Sequence, residues 1–238
     1  MLKDKYEKII YFDTETTGLD PVNNQIIEYG AFTRAGIGGA RCSENYDKFV
    51  KLSIEPEIPQ KITDITGITG FDLVKGIEEA DLVKELLRAY SQCKTTLLVA
   101  YNAQFDLNFL AVLFCSMKDK VLRKSVLDAF MSCDFLDAMT VYADRSSPCR
   151  LQNAITHYGL DDRVKNSHRA VDDAEALAAV CDAMEAERDD LLKYINLFGY
   201  SPRHGISYRQ LKKVTYKEQS QAFQMRPESE CLYSKGGD

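Results

Sequence analysis

Three short runs rich in β-branched and aromatic residues crowd the first 52 positions, at Lys8–Asp13, Gln25–Arg34 and Tyr46–Leu52, with only turn residues between them. Connections that short join antiparallel neighbours, so the spacing predicts a meander. The period then changes. Pro59–Ile65 and Ile77–Tyr90 carry helical spacing, and Thr95–Tyr101 is an apolar strand. A helix is expected over Gln104–Met117, a last strand over Met131–Leu136, and further helices over Leu151–Tyr158 and Arg169–Tyr194. Strands reached through helical crossovers lie parallel, so the whole pattern predicts a mixed α/β sheet. Residues 1–195 are expected to form one domain. Residues 196–238 read as an extension: a loop over Tyr200–Gly205, a short strand at Val214-Thr215-Tyr216 flanked by Lys212, Lys213 and Lys217, and a frayed tail at Gly236-Gly237-Asp238. The glycines of Gly36-Ile37-Gly38-Gly39 mark a turn.

Charge narrows the function. A formal net charge of −6 opposes a passive nucleic-acid binder, which needs a basic footprint. It is compatible with an enzyme whose carboxylates gather around cations. The seven cysteines, from Cys42 to Cys231, are odd in number and scattered, with no C-x-x-C pair. That argues against a zinc site and against a secreted disulfide framework, and leaves a reduced cytoplasm as the expected compartment. The N-terminus has no basic region followed by an apolar stretch, and the apolar run Leu107–Met117 is too short to span a bilayer. No membrane association is expected.

Three segments carry chemistry. Asp13 and Glu15 are two apart at the end of the first strand, so their carboxylates share a face. Taken alone, D-x-E reads as a polar turn. Thr16, Thr17 and Gly18 follow, small residues that expose backbone N–H groups and leave room for a ligand. In Tyr101-Asn102-Ala103-Gln104-Phe105-Asp106 the acid falls in the first turn of a helix, where the macrodipole favours it; taken alone, it reads equally as dipole complementation. In Asn166-Ser167-His168-Arg169-Ala170-Val171-Asp172-Asp173-Ala174, His168 and Asp173 are five apart. A cap at Ser167 or its neighbour would put His168 at the mouth of a helix and Asp173 one turn in, both facing one cleft. Asp172 would then face solvent.

Joint occurrence lifts these segments above their separate readings. Two like charges about 4 Å apart repel by roughly 4 kcal/mol at an effective dielectric near 20. Several acids in one cleft are too costly as a purely structural feature, and divalent cations remove that cost. Carboxylate oxygens without a cysteine partner favour Mg²⁺ or Mn²⁺ over Zn²⁺. Two such ions support hydrolytic phosphoryl displacement.

These three segments resemble the exonuclease motifs of the DEDD superfamily, and the spacing of His168 from Asp173 resembles its DEDDh branch. That branch includes the proofreading epsilon subunit of DNA polymerase III, the PolC-type exonuclease domain and ribonuclease T. Ile62-Thr63-Asp64-Ile65-Thr66-Gly67-Ile68-Thr69 is similar to a substrate-channel segment of PolC-like members. The resemblance spans about residues 8 to 187. It implies an RNase H-like five-stranded mixed sheet flanked by helices. It implies that Asp13, Glu15, Asp106 and Asp173 hold two Mg²⁺, with Mn²⁺ as a substitute and Asp13 shared, and that His168 deprotonates the attacking water. By the same resemblance Thr16, Thr17, Gly18, Leu19, Asn102, Phe105 and Ile65 meet the substrate, although Phe105 equally suits plain core. Tyr101 stands where many relatives carry histidine, and Asp137 reads as a supporting acid.

The expected activity is release of nucleoside monophosphates from 3′ ends. The expected substrate is a single-stranded or frayed DNA 3′ end, in proofreading or repair. RNA trimming, an endonuclease on the same fold, and a non-catalytic module docked on a polymerase or replication partner stand as alternatives.

Overall fold

Ile9 and Tyr11 point to one side of the first strand and Ile10 and Phe12 to the other, and this alternation sets the layers of the molecule. The computed structural model describes residues 1–37, 43–165 and 167–219. Gly38, Gly39, Cys42, Asn166, Cys231 and the tail Gly236–Asp238 lie outside the described residues.

Five strands form the main sheet: β1 (Lys8–Thr16), β2 (Ile26–Ala35), β3 (Ser43–Phe49), β4 (Thr96–Ala100) and β5 (Asp134–Asp137). Their order is β3-β2-β1-β4-β5. The β1–β2 and β2–β3 pairs are antiparallel, and β1–β4 and β4–β5 are parallel. The expected mixed sheet, a meander joined to crossover strands, is the observed fold.

Eight helices follow among the described residues: α1 (Gln60–Thr66), α2 (Gly70–Val74), α3 (Glu79–Ser91), α4 (Ala103–Ser116), α5 (Lys120–Ser132), α6 (Ala138–Ala143), α7 (Leu151–His157) and α8 (Ala170–Glu187). On one face of the sheet, Ile10, Phe12 and Leu98 pack with Leu86 of α3, Phe114 of α4 and Phe130 of α5. On the other, Ile9, Tyr11 and Val99 pack with Ile155 of α7 and Leu177 and Met184 of α8. Each such side chain contributes about 1.5–3 kcal/mol of burial free energy, so both faces are firmly covered.

Several boundaries differ from expectation. β1 continues three residues beyond Asp13, so Thr16 belongs to the strand rather than to a turn. The strand expected at Met131–Leu136 begins at Asp134, because α5 runs to Ser132. α5 was not anticipated. Its buried residues Val126 and Phe130 make a narrow stripe, and Asp119 caps it by accepting the Val121 and Leu122 amides. α8 stops at Glu187 instead of running to Tyr194. There the Arg145 guanidinium, nearly buried, donates to the Met184 carbonyl and pairs with Glu187 and Asp190, ending the helix from outside it.

The C-terminal segment adds a two-stranded parallel sheet, β6 (Leu197–Tyr200) with β7 (Thr215–Glu218). Phe198 and Val214 join the α3–α4–α5 core. Lys213 pairs with Asp134 at 2.9 Å, and Lys217 pairs with Asp144. Among the described residues no helix is long and apolar enough to cross a membrane.

Candidate active site

Pairing between β1 and β4 ends at Tyr11 and Val99, while β1 continues to Thr16 against β2 alone. Asp13, Thr14 and Glu15 therefore stand where the sheet has lost a strand on one side. Odd positions face α8 with Ile9 and Tyr11, and even positions face α4 with Ile10 and Phe12. Thr14 reaches across to α4: its N–H and hydroxyl both donate to Asp106 Oδ1, at 3.1 and 2.6 Å. Glu15 faces α8, where its carboxylate, the His168 imidazole and the Asp173 carboxylate offer ligand atoms all within 4.8 Å of one another. Acids from both layers thus meet around one strand end.

The neighbours acting on Asp13 describe the same gathering. Its carboxyl is pushed well above the ordinary range, first by burial and then by Asp106, Glu15, Asp173 and Glu28. Burial and the nearby Asp173 and Glu28 raise Glu15 to about 8. Burial raises Asp106 to about 7 against the two Thr14 hydrogen bonds. Burial likewise raises Asp173 to about 7, against the Ser167 N–H that donates to it at 3.2 Å. The pocket holds its protons because the charges are crowded and poorly hydrated.

The docking of α8 explains how His168 arrives. Gly30 is the partner of Asp13 across β1–β2, and a Cβ there would lie 2.1 Å from the Val171 nitrogen. The start of α8 therefore rests directly on the β2 backbone. Glu28, fully buried, is the partner of Glu15 and pairs with Arg169. The expected cap at Ser167 or its neighbour is not the one observed. Arg169 holds the cap position without a side-chain cap bond of its own, and Glu28 caps from β2 by accepting the Ala170 amide. Ser167 instead donates its hydroxyl to Asp172, which keeps a partly solvent-exposed position. With the helix start fixed, His168 lies just outside it, exposed and in the left-handed region at φ 55°.

α4 is aimed in a similar way. Asn102 adopts φ 65°, and the buried Asp137 accepts the amides of Asn102, Ala103 and Met139 and the Thr140 hydroxyl. Asp137 thus fixes the turn that delivers Asp106. Tyr101 donates its hydroxyl to the Cys149 carbonyl.

The expected substrate contacts divide. The Thr16 hydroxyl donates to the Gly18 carbonyl at 2.6 Å, and the Thr17 hydroxyl accepts the Gln25 amide at 3.1 Å. Both threonines are buried and hold the turn. The space a Gly18 side chain would need is filled by Asn24, 2.4 Å from that position, so the glycine accommodates a neighbour rather than leaving an open slot. Leu19 and Ile65 are exposed, at 40% and 47%. Phe105 packs against the α4 core and against Phe109, half-buried. Glu28, Gly30 and Arg169 were not singled out from sequence. One signal was present: a carboxylate inside the apolar run Ile26-Ile27-Glu28-Tyr29 demands a buried partner.

The donors fit divalent cations. Carboxylate oxygens are the donors that hard ions such as Mg²⁺ and Mn²⁺ take, and the raised carboxyls mark a site short of positive charge.

Residues 10–181 match the RNase T exonuclease family, a span that contains all three motifs. The chain belongs to that exonuclease family. This exonuclease is 32% identical over 175 residues to the DNA polymerase III PolC-type protein of Clostridium perfringens, covering 73% of this chain and 11% of the relative. It is 36% identical over 168 residues to DNA polymerase III subunit epsilon of Treponema pallidum, covering 68% of this chain and 69% of the relative. Its fold is similar to that of E. coli exonuclease I in complex with a dT13 oligonucleotide, with a TM-score of 0.65 at 18% identity over 79% of this chain and 43% of that one.

Proposed function

We propose that this exonuclease removes nucleoside monophosphates one at a time from the 3′ ends of single-stranded or frayed DNA. The observation that carries the reading is the meeting of Glu15, His168 and Asp173 within 4.8 Å, at a strand end that also bears Asp13 and receives Asp106. Asp13, Glu15, Asp106 and Asp173 would hold two Mg²⁺. Bound there, the ions would supply charge neutralisation at the reacting phosphate and acidify a water.

The protein's own residues supply the rest. His168 accepts the proton of the attacking water, a task for which an imidazole suits neutral pH. Its exposed position before α8 lets it reach a substrate from solvent. Glu28 and Arg169 act through α8, holding His168 and Asp173 opposite Glu15. Thr14 fixes one oxygen of Asp106, so that carboxylate presents a set direction. Leu19 and Ile65 offer exposed apolar surface to the terminal nucleotide.

DNA is supported by the names of the relatives, components of DNA polymerase III, and by the oligonucleotide on the exonuclease I neighbour. The same names support action beside a polymerase or replication partner. A substrate panel tests the reading: linear single-stranded DNA, circular single-stranded DNA, duplex DNA with a mismatched 3′ end, and RNA, each with Mg²⁺. Shortening from the 3′ end of linear DNA with the circle left intact is expected. Nicking of the circle would point to an endonuclease, and preference for RNA to an exoribonuclease.

A further inference from the structure

Tyr208 lies outside all three motifs and yet beside one of them. It belongs to the segment between β6 and β7, which comes back against the start of α4. Its ring sits 5.8 Å from that of Phe105, edge to face at 67°. Phe105 immediately precedes Asp106, and both it and Tyr208 are half-buried.

The segment is pinned on both sides of Tyr208. The buried Gln104 amide donates to the carbonyls of Ser207 and Arg209, at 2.8 and 2.9 Å, and its oxygen accepts the Tyr216 hydroxyl at 2.9 Å. One turn on, Asn108 donates to the Arg209 carbonyl at 3.2 Å and accepts its amide at 3.3 Å. Between these clamps Tyr208 adopts φ 63°, a left-handed conformation unfavourable for a bulky side chain. The residues that flank Phe105 on α4 therefore also dictate where the Tyr208 ring stands. A left-handed, partly exposed aromatic held this way against the residue that precedes Asp106 is a feature of a binding site more than of packing.

We infer that Tyr208 and Phe105 form an aromatic step beside the acids, on which a base of the entering single strand stacks. The ligand, though not the geometry, rests on the exonuclease reading. Every base presents a π face, so such a step holds a strand without reading its sequence. Two of the nearby lysines are committed elsewhere: Lys213 pairs with Asp134, and Lys217, on β7, with Asp144.

The chain contains no tryptophan, so Tyr208→Trp places a single indole at the step. Oligothymidylate added to the full chain carrying Tyr208→Trp, with Ca²⁺ in place of Mg²⁺ to slow turnover, is expected to quench its emission saturably. Tyr208→Ala is expected to raise KM for a single-stranded decamer roughly five- to a hundredfold, and Tyr208→Phe to restore most of that loss. The Tyr208→Ala loss should be several times larger on the decamer than on the p-nitrophenyl ester of thymidine 5′-monophosphate, which has no second base. An unquenched indole with an unchanged decamer KM overturns the step while the exonuclease reading stands. Equal losses on decamer and ester overturn it too, since they would mean a displaced α4. Saturable quenching in a chain that releases no nucleotide keeps the step and removes the exonuclease reading instead.

Discussion

Arg169 donates through Nε and Nη2 to one oxygen of Glu28, at 2.8 and 2.6 Å, while the other oxygen receives the Ala170 amide at 3.1 Å. One carboxylate from β2 thus ties down both the cap residue and the first residue of α8. Glu28→Ala removes that tie and leaves Arg169 with the more distant Asp47, at 3.5 Å. The expected destabilisation is roughly 2–4 kcal/mol, toward the low end for a buried pair because the guanidinium is 37% exposed. Arg169→Ala strands the buried carboxylate and should cost as much or more. Urea unfolding of both variants and of the double variant checks this, with the double variant less destabilised than the sum of the singles.

Gly30→Ala is a second test of how α8 is seated. The added methyl meets the helix backbone, which cannot rotate away as a side-chain tip can. A stability loss of about 1–3 kcal/mol is expected from overpacking. Activity should fall by more than that loss accounts for, on the order of a hundredfold, because the helix that bears Asp173 and follows His168 must shift. Steady-state rates measured well below the unfolding temperature separate the two effects.

His168 should separate catalysis from stability. It is exposed, so His168→Ala is expected to leave stability within about 0.5 kcal/mol and to lower kcat by roughly 10²–10⁴. His168→Gly should lose as much activity yet unfold slightly later than His168→Ala, since φ 55° suits glycine. Equal melting temperatures for the two would contradict the left-handed conformation.

The raised carboxyls make a prediction about pH. Glu15 at about 8 and Asp106 and Asp173 at about 7 hold protons that the unfolded chain, with carboxyls near 4, has released. The folded state binds more protons across that window, so these groups contribute stability below it that is lost as pH rises toward 8. In chelator, the melting temperature should fall between pH 5.5 and 8.5. Mg²⁺ must displace those protons, so its stabilising effect should grow with pH, and calorimetry should record proton release on binding. A Mg²⁺ effect independent of pH would contradict the crowding of these acids.

Legibility from sequence followed locality. The parity of Asp13 and Glu15, the place of Asp106 in the first turn of a helix and the turn from strand meander to crossover are properties of short segments, and period and spacing carried them. α5 escaped because only Val126 and Phe130 of its length are buried, a weak stripe beside exposed Val121. The end of α8 escaped because Arg145, far away in the chain, stops it. In the site, the hydroxyls of Thr16 and Thr17 close a turn with Gly18 and Gln25, a pairing that the string of small residues does not reveal. Glu28 and Gly30 act across strands, and only the register of β1 against β2 puts them opposite Glu15 and Asp13.

The most direct test is the Mg²⁺-dependent release of mononucleotides from a 3′-labelled single strand, measured side by side for the parent chain and Asp13→Asn. The parent should release label from its first turnover and stop when chelator is added, and Asp13→Asn, correctly folded, should release essentially none. Release by Asp13→Asn at the parental rate, or by the parent in chelator, would contradict a cation-dependent site built on this strand end.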